Sequence, residues 1–249
     1  MLSQALAVSP LRVLTPRNHG NAAWVFLASL GGGLVGGDRL SVHADVAEGA
    51  SAFLSTQAST KVYRSPRESF SSLTARVERG AALAIAPDPV VCFAGARYGQ
   101  EITVSLARDA SLLLVDSYTC GRSARGERWD FARYAARTTV AREGAPVLID
   151  ATRLDPAQGS IAERMGRFDV VASLLAMGPL FAPVRTTILA SAAAPSPGSA
   201  AIAAASPIGE NGAILRILAD RFESASRILR PSFSALAGVL GDDPFARKW

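Results

Sequence analysis

Apolar and polar positions alternate along the first half of the chain with a period of two. Leu40, Val42, Ala44 and Val46 carry the pattern first, and segments 73–77 and 102–106 repeat it. Such alternation marks a strand with one face on a core and the other in water. Each segment runs through a short polar turn into a second apolar strand: AEGASAFL (47–54), ERGAALAI (78–85) and ARDASLLL (107–114), echoed by REGAPVLI (142–149). The turn residues Gly49, Gly80, Asp109 and Gly144 are spaced 31, 29 and 35 apart. Glycine and aspartate suit a tight bend. A strand pair cannot bury its apolar face alone, so stacked copies must share a core. The repeating unit of strand, turn, strand and excursion predicts a mainly β fold of stacked, coiled sheets. These are β-helix-like layers, with a few helices mostly towards the C-terminus. No amphipathic helix separates the early strands, which argues against βαβ units.

The pattern then changes. WVFLASL (24–30) reads as an additional early strand after the turn-like PRNHGN (16–21). In IAERMGRFDVVASLLAMG (161–178) the apolar spacing is partly helical, predicting a strand and then a helix near 169–177. The alanine-rich tract predicts a turn and loop over 191–199, a short strand over 200–206 and a turn at 209–212. Ile214, Leu215, Leu218, Phe222, Ala225, Ile228 and Leu229 follow the spacing of a helix, or of a strand leading into one. Arg230-Pro231 ends or kinks it, and 233–240 reads as a second helix closed by Gly241. The aromatic, basic tail ending in Trp249 is expected to tuck onto the body or a partner. One β-rich domain over 1–249 is expected, with its helical segment near 213–240.

Glycines 31, 32, 33, 36 and 37 raise the question of a phosphate loop. No Lys-Ser or Lys-Thr follows them, as a Walker loop needs. Gly31, Gly33 and Gly36 meet the dinucleotide spacing, but a strand follows where that fingerprint opens a helix. Asp38 then reads as a turn acceptor for backbone N–H groups, or as a residue fixing an interface.

The excursions between strands carry the unusual side chains. STQASTKVYRSP (55–66) holds Gln57, Thr60, Lys61, Tyr63, Arg64 and Ser65, an anion site or a polar rim for an acidic partner. APDPVVCFAGARYGQ (86–100) places Cys92 in an apolar run, buried and inert. DSYTCGRSARGERWDFARY (116–134) is the densest polar cluster. There Cys120 neighbours Arg122, Arg125 and Arg128, and positive charge lowers a thiol pKa. The readings open for it are a reactive thiol, a single metal ligand, and a structural or interface residue. Glu127 is placed to pair with an arginine. Trp129, Phe131 and Tyr134 suit an interface core or a hydrophobic one.

Composition narrows the classes. Apolar residues make up 49% and charged residues 19% of 249, and the net charge is +5. Lys61 and Lys248 are the only lysines. Arginine favours paired carboxylates or phosphates, yet there is no basic helix with interleaved aromatics for nucleic acid. Two cysteines make no disulfide scaffold. His19 and His43 do not promise a metal enzyme. The start lacks a signal-peptide pattern, and the longest apolar run, 170–184, is broken by Gly178, Pro179 and Pro183. A cytoplasmic protein is expected, with no membrane or nucleic-acid partner.

GGGLVGGDRL (31–40), STQASTKVYRS (55–65), PDPVVCFAGARYGQ (87–100), GRSARGERWDF (121–131) and LRPSFSALAG (229–238) together resemble the urease accessory proteins of the UreD, also UreH, type. The family's Gly-Gly-Asp motif falls on Gly36, Gly37 and Asp38. Its Thr-Lys-x-Tyr-Arg-Ser motif falls on Thr60, Lys61, Tyr63, Arg64 and Ser65, and its Gly-Arg-x-x-x-Gly-Glu motif on Gly121, Arg122, Gly126 and Glu127. The family's proline-rich lead is replaced by ASLGG (28–32). The resemblance implies a β-rich non-enzyme that binds apo-urease, a UreF-type bridging protein and a nickel-loaded UreG-type GTPase, within a complex that admits a dimer. It implies help in delivering nickel to an active site with a carbamylated lysine, by an internal route. No cofactor is held tightly on this reading. Transient Ni2+ passage needs exchangeable oxygen ligands, and Asp38, Asp116 and Glu127 are the expected ones. The rivals are an enzyme using the Cys120, Arg122 and Glu127 region and a basic nucleic-acid binder.

Overall fold

The computed structural model describes residues 2–191 and 198–246. Most of the 191–199 loop and all of Trp249 lie outside the described residues. In chain order the strands are β1 (Leu11–Leu14), β2 (Ala23–Ser29), β3 (Arg39–Val46), β4 (Ser51–Thr56), β5 (Thr60–Val62), β6 (Ser69–Val77), β7 (Ala82–Ile85), β8 (Val90–Cys92), β9 (Arg97–Leu106) and β10 (Ser111–Thr119). They continue as β11 (Arg133–Arg142), β12 (Ala145–Leu154), β13 (Val170–Met177), β14 (Ala201–Ile208) and β15 (Gly212–Ala219). The helices are α1 (Ile161–Met165), α2 (Ala182–Ala190) and α3 (Phe222–Leu240).

Three coils stack as the repeat predicts. β3, β6 and β9 lie parallel in one sheet, and each turns a corner into β4, β7 or β10, parallel in the other. The corners are i to i+3 turns, closed by Ala50 N–H to Ala47 O, Ala81 N–H to Glu78 O and Ala110 N–H to Ala107 O at 3.0–3.2 Å. Gly49 and Gly80 supply the left-handed backbone at the third residue of the first two (φ 68° and 63°). Backbone bonds tie each corner to the next: Gly49 N–H to Arg79 O, Glu78 N–H to Val46 O, Ala107 N–H to Val77 O and Ser111 N–H to Ala81 O.

The fourth copy differs. Glu143 and Gly144 both have positive φ (50° and 79°), the geometry of a tight hairpin turn. β11 and β12 therefore pair antiparallel within one sheet instead of crossing to the other. The five-stranded sheet runs β12-β11-β9-β6-β3. The larger sheet runs β1-β2-β4-β7-β10-β13-β15-β14, with β5 and β8 attached beside β10.

Val46, Val77, Leu83, Ile85, Ile102, Val104, Leu112 and Leu114 fill the space between the sheets. The other face of the larger sheet packs Trp24, Phe53, Leu113, Leu174 and Leu215 against Val184 and Ile188 of α2 and Leu229 and Leu236 of α3. The larger sheet is thus covered on both faces, and all four residues of β7 are buried.

The helix expected near 169–177 is instead strand β13. Leu174 packs on the helix side and Leu175 between the sheets, so both faces are apolar and the period-two signal disappears. The helical turn lies before it, in α1, where the Ser160 hydroxyl caps Glu163 N–H at 3.2 Å. Downstream, the strand-then-helix alternative holds as β15 and α3. Pro231 does not end the helix: α3 runs through it to Leu240, and the two expected helices are one. Gly241, at φ 77°, closes it with its N–H on Ala237 O.

Arg142, the last residue of β11, fastens the third corner. Its Nη1 donates to the carbonyls of Ala107, Arg108 and Ala110, and burial holds its pKa below the usual arginine value. Replacing it takes this donor from the partly buried Ala110 carbonyl, while Ala107 O keeps only its turn bond from Ala110 N–H. Arg142→Met is expected to lower the unfolding free energy by about 1–3 kcal/mol, measured by urea titration. An unchanged midpoint would remove this role.

Candidate functional site

The sequence motifs converge at the end of the sandwich opposite the corners. Residues 30–38 form a glycine loop laid across 60–68. Leu34 N–H donates to Lys61 O at 2.7 Å, and Tyr63 N–H to Leu34 O at 2.9 Å. The glycines allow this close approach. A Cβ on Gly33 would stand 2.6 Å from Lys61 O, and one on Gly36 only 1.6 Å from Ser65 Oγ. Gly37 N–H donates to Glu68 O, and Arg67 Nη2 donates to Gly36 O at 3.0 Å. Asp38 acts as the turn acceptor: its Oδ2 takes Val35 N–H at 2.8 Å. Gly36, Gly37 and Asp38 are thus fitted to Thr60, Lys61, Tyr63, Arg64 and Ser65, with the side chains of Lys61, Tyr63 and Arg64 left exposed.

Phe93 joins this pair of motifs to the third. The Tyr63 ring meets it edge-on at 5.1 Å, and the Arg122 guanidinium lies 4.1 Å over its face. Arg122 also forms a two-point ion pair with Glu127, whose Oε2 accepts Ala94 N–H at 3.2 Å. The arginine and that N–H hold the Glu127 carboxyl below its ordinary value. Gly121, at φ 117°, has no room for a Cβ beside Cys92 O (2.9 Å), while Gly126 (φ 78°) caps the short turn through Ser123–Arg125.

Cys120 is no activated thiol. It is buried, and burial together with Asp169 pushes it up to about 12; Arg128 opposes this less strongly. Arg128 is itself paired with Asp169. Cys92 is also buried and pushed up to about 12 by burial. The residues of the enzymatic rival are therefore engaged with each other and with the core. Trp129, Phe131 and Tyr134 are core residues, 3%, 1% and 0% exposed, clustered with Tyr98 and Tyr118. Trp129 has a left-handed backbone (φ 61°). Its N–H bonds Cys120 O and its Nε1–H bonds Phe168 O.

Asp116 sits elsewhere, between the sheets. A cavity of about 270 Å³ extends from it towards Lys61 and Gln57, and a second of about 430 Å³ extends towards β12, β14 and β15. Among the described residues Asp116 is the one that lines both. A hydrogen-bonded chain leads to it on the smaller side: Ser71 to Tyr98 OH, Tyr98 OH to Gln100 Oε1 (3.2 Å), and Gln100 Nε2 to Asp116 Oδ1 (3.1 Å). Burial raises the Asp116 carboxyl above its ordinary value, against the lowering effect of Gln100. On the larger side, strand register places Ser173 beside Asp116 and Arg216 beside Ser173, while Thr138 stands beside Asp150.

Sequence reading missed Thr138, Asp150, Thr152, Ser173 and Arg216. Their signal was polar residues on the inward register of otherwise apolar strands, readable only once the inward face is known. Asp38, Asp116 and Glu127 are not brought together, and among the described residues no group of three or more His, Cys, Asp or Glu could hold a metal ion. Among the described residues no helix is long and apolar enough to cross a membrane.

A family model described as the UreD urease accessory protein matches residues 1–249. The urease accessory protein UreD of Sorangium cellulosum (strain So ce56) is 57% identical over 249 residues, covering 100% of this chain and 80% of that protein. The namesake from Anaeromyxobacter sp. (strain Fw109-5) is 46% identical over 246 residues, covering 97% and 82%. The urease accessory protein D of Oryza sativa subsp. indica is 33% identical over 276 residues, covering 98% and 90%.

The geometry sets two expectations. Gly36→Ala should destabilise by about 1–3 kcal/mol through overpacking. Adding Ser65→Gly should recover part of that loss, because the clash is with the Ser65 side chain; a double-mutant cycle in thermal unfolding checks it. For Glu127 the folded value is depressed, so its stabilisation is complete above its ordinary value of 4.5 and is lost as pH falls through the depressed value. Protection of the amides in 121–127, taken relative to the intrinsic exchange rate at each pH, should fall over that acidic range in the native chain, and Glu127→Gln should remove this fall.

Proposed function

The chain belongs to the UreD family of urease accessory proteins, and on that premise we propose that it is a non-catalytic scaffold that passes nickel to apo-urease. Family membership gives the general role, an accessory in urease maturation. The finer reading is a complex with apo-urease, a UreF-type bridging protein and a nickel-loaded UreG-type GTPase, with Ni2+ crossing the space between the two sheets. The supporting observation is the pair of cavities meeting at Asp116.

Asp116 suits a transient ligand. Carboxylate and hydroxyl oxygens hold nickel less firmly than imidazole or thiolate sets do, so a cation can leave as it came. Asp38 and Glu127 are less suited to this step. The first holds Val35 N–H, and the second holds Arg122 and Ala94 N–H. On this reading the motif rim, with exposed Lys61, Tyr63 and Arg64, serves partner contact, and its arginines offer carboxylate-matching forks.

Asp116→Asn separates passage from assembly. A half-buried acid whose folded value is raised by desolvation costs stability as pH rises above its ordinary value of 3.8. The asparagine variant should therefore be as stable as the native chain at neutral pH, or more so, and should still co-purify with apo-urease and both accessory proteins. Nickel content and activity of the matured urease should fall at least several-fold, and native transfer should weaken as acid protonates Asp116. Normal nickel loading by an assembled Asp116→Asn complex would overturn the internal route.

A further inference from the structure

The larger cavity opens where the two sheets end unequally. β12 is the edge of the smaller sheet, and β15 and β14 carry the larger sheet outward past it. No backbone ladder joins β12 to β14 or β15 among the described residues. An ion pair links them, Arg216 Nη1 to Asp150 Oδ2 at 3.0 Å, and both residues line the cavity. On the larger sheet Arg216 stands two strands from Asp116, about 10 Å away at ordinary strand spacing, with Ser173 between them in register. Thr138 and Thr152 face the same space from the smaller sheet. A polar row thus leads from Asp116 to the pair.

We infer that the Asp150–Arg216 ion pair is an electrostatic gate on this cavity, opened by a carboxylate of a docking protein that takes Arg216 from Asp150. Three observations carry this. The pair bridges the two sheets and lines the cavity. Its side chains are 56% and 24% exposed, so the bond is screened and weak and a second carboxylate from solvent can reach the arginine. Its two charges also have opposite effects on a passing cation. While paired, Arg216 neutralises Asp150 and presents positive charge at the opening. Once Arg216 turns to another carboxylate, Asp150 is left facing the cavity that Asp116 also lines. A guanidinium suits this exchange because its planar fork accepts a new carboxylate without losing charge.

The gate deepens the nickel reading and rests on it for its cargo, so its test uses a readout without nickel. A cysteine is placed behind the pair as Ser173→Cys in the full-length chain, with Thr138→Cys as a second position. The native thiols are buried and give a slow background. Rates of modification by a cationic and an anionic methanethiosulfonate are compared with the pair intact, with Arg216→Gln and with Asp150→Asn. Both substitutions should speed labelling at least ten-fold. Arg216→Gln, which leaves Asp150, should favour the cationic reagent, and Asp150→Asn should favour the anionic one. The exchanged pair, Asp150→Arg with Arg216→Asp, should return labelling towards the native rate. A soluble polyglutamate peptide should accelerate labelling of the native pair and not of Arg216→Gln. Rates within two-fold of native in both single variants, or the same charge preference in both, would show a brace and overturn the gate. Gated labelling with unchanged nickel transfer to urease would support the gate and remove the nickel route through it.

Discussion

The stacking of coils in register is the constraint on which the rest of this molecule depends. Each corner is closed by its own turn and bonded to the corner beside it, so the three coils cannot slide past one another. With period-two strands, a slip of one residue would turn every inward side chain outward. The same locked register does two further things. It gathers the excursions at the opposite end, where the glycine loop, the Thr60–Ser65 segment and the Gly121–Glu127 turn meet around Phe93. It also aligns polar residues on neighbouring strands into a row inside the sandwich.

That interior row stands against the ordinary logic of a core. A carboxylate between two sheets loses hydration, and the raised Asp116 value reflects that loss. One amide from Gln100 only partly offsets it. Apolar residues in these places would stabilise the sandwich better, so the polar row marks a place where stability gives way to another requirement. The larger sheet tolerates this because its opposite face is closed by α2 and α3 through a separate apolar cluster.

The legible part of the sequence was local. Glycine and aspartate at the turns, with alternation before them, announced the coils, and the motif strings marked the rim. Residues 170–177 misled because a strand buried on both faces carries no alternation, and Leu174 and Leu175 pack on opposite sides. Pro231 misled because α3 is held along its length by packing, which outweighs one missing hydrogen bond. REGAPVLI matched the earlier turns in composition, yet two successive left-handed residues made it a hairpin. Of the three expected oxygen ligands, only Asp116 faces the interior. Its companions Asp150 and Arg216 were invisible because their relation is set by sheets folded over one another, which no spacing in the chain records.

The corners and the rim also divide the molecule by how freely it can change over descent. At the corners, backbone bonds to neighbouring coils fix each turn, and the left-handed backbone of Gly49 and Gly80, not a lack of space, favours glycine there. At the rim, the excursions leave one sheet and re-enter the stack after a loop, and a loop can lengthen without disturbing the register on either side of it. The motif segments are themselves pinned at that end by close approach, Gly33 against Lys61 and Gly36 against Ser65, so length is free to vary only between them. Such a fold ties one end by backbone bonds from coil to coil and the other by the fit of its motif segments, and leaves its freedom in the lengths of loop between them.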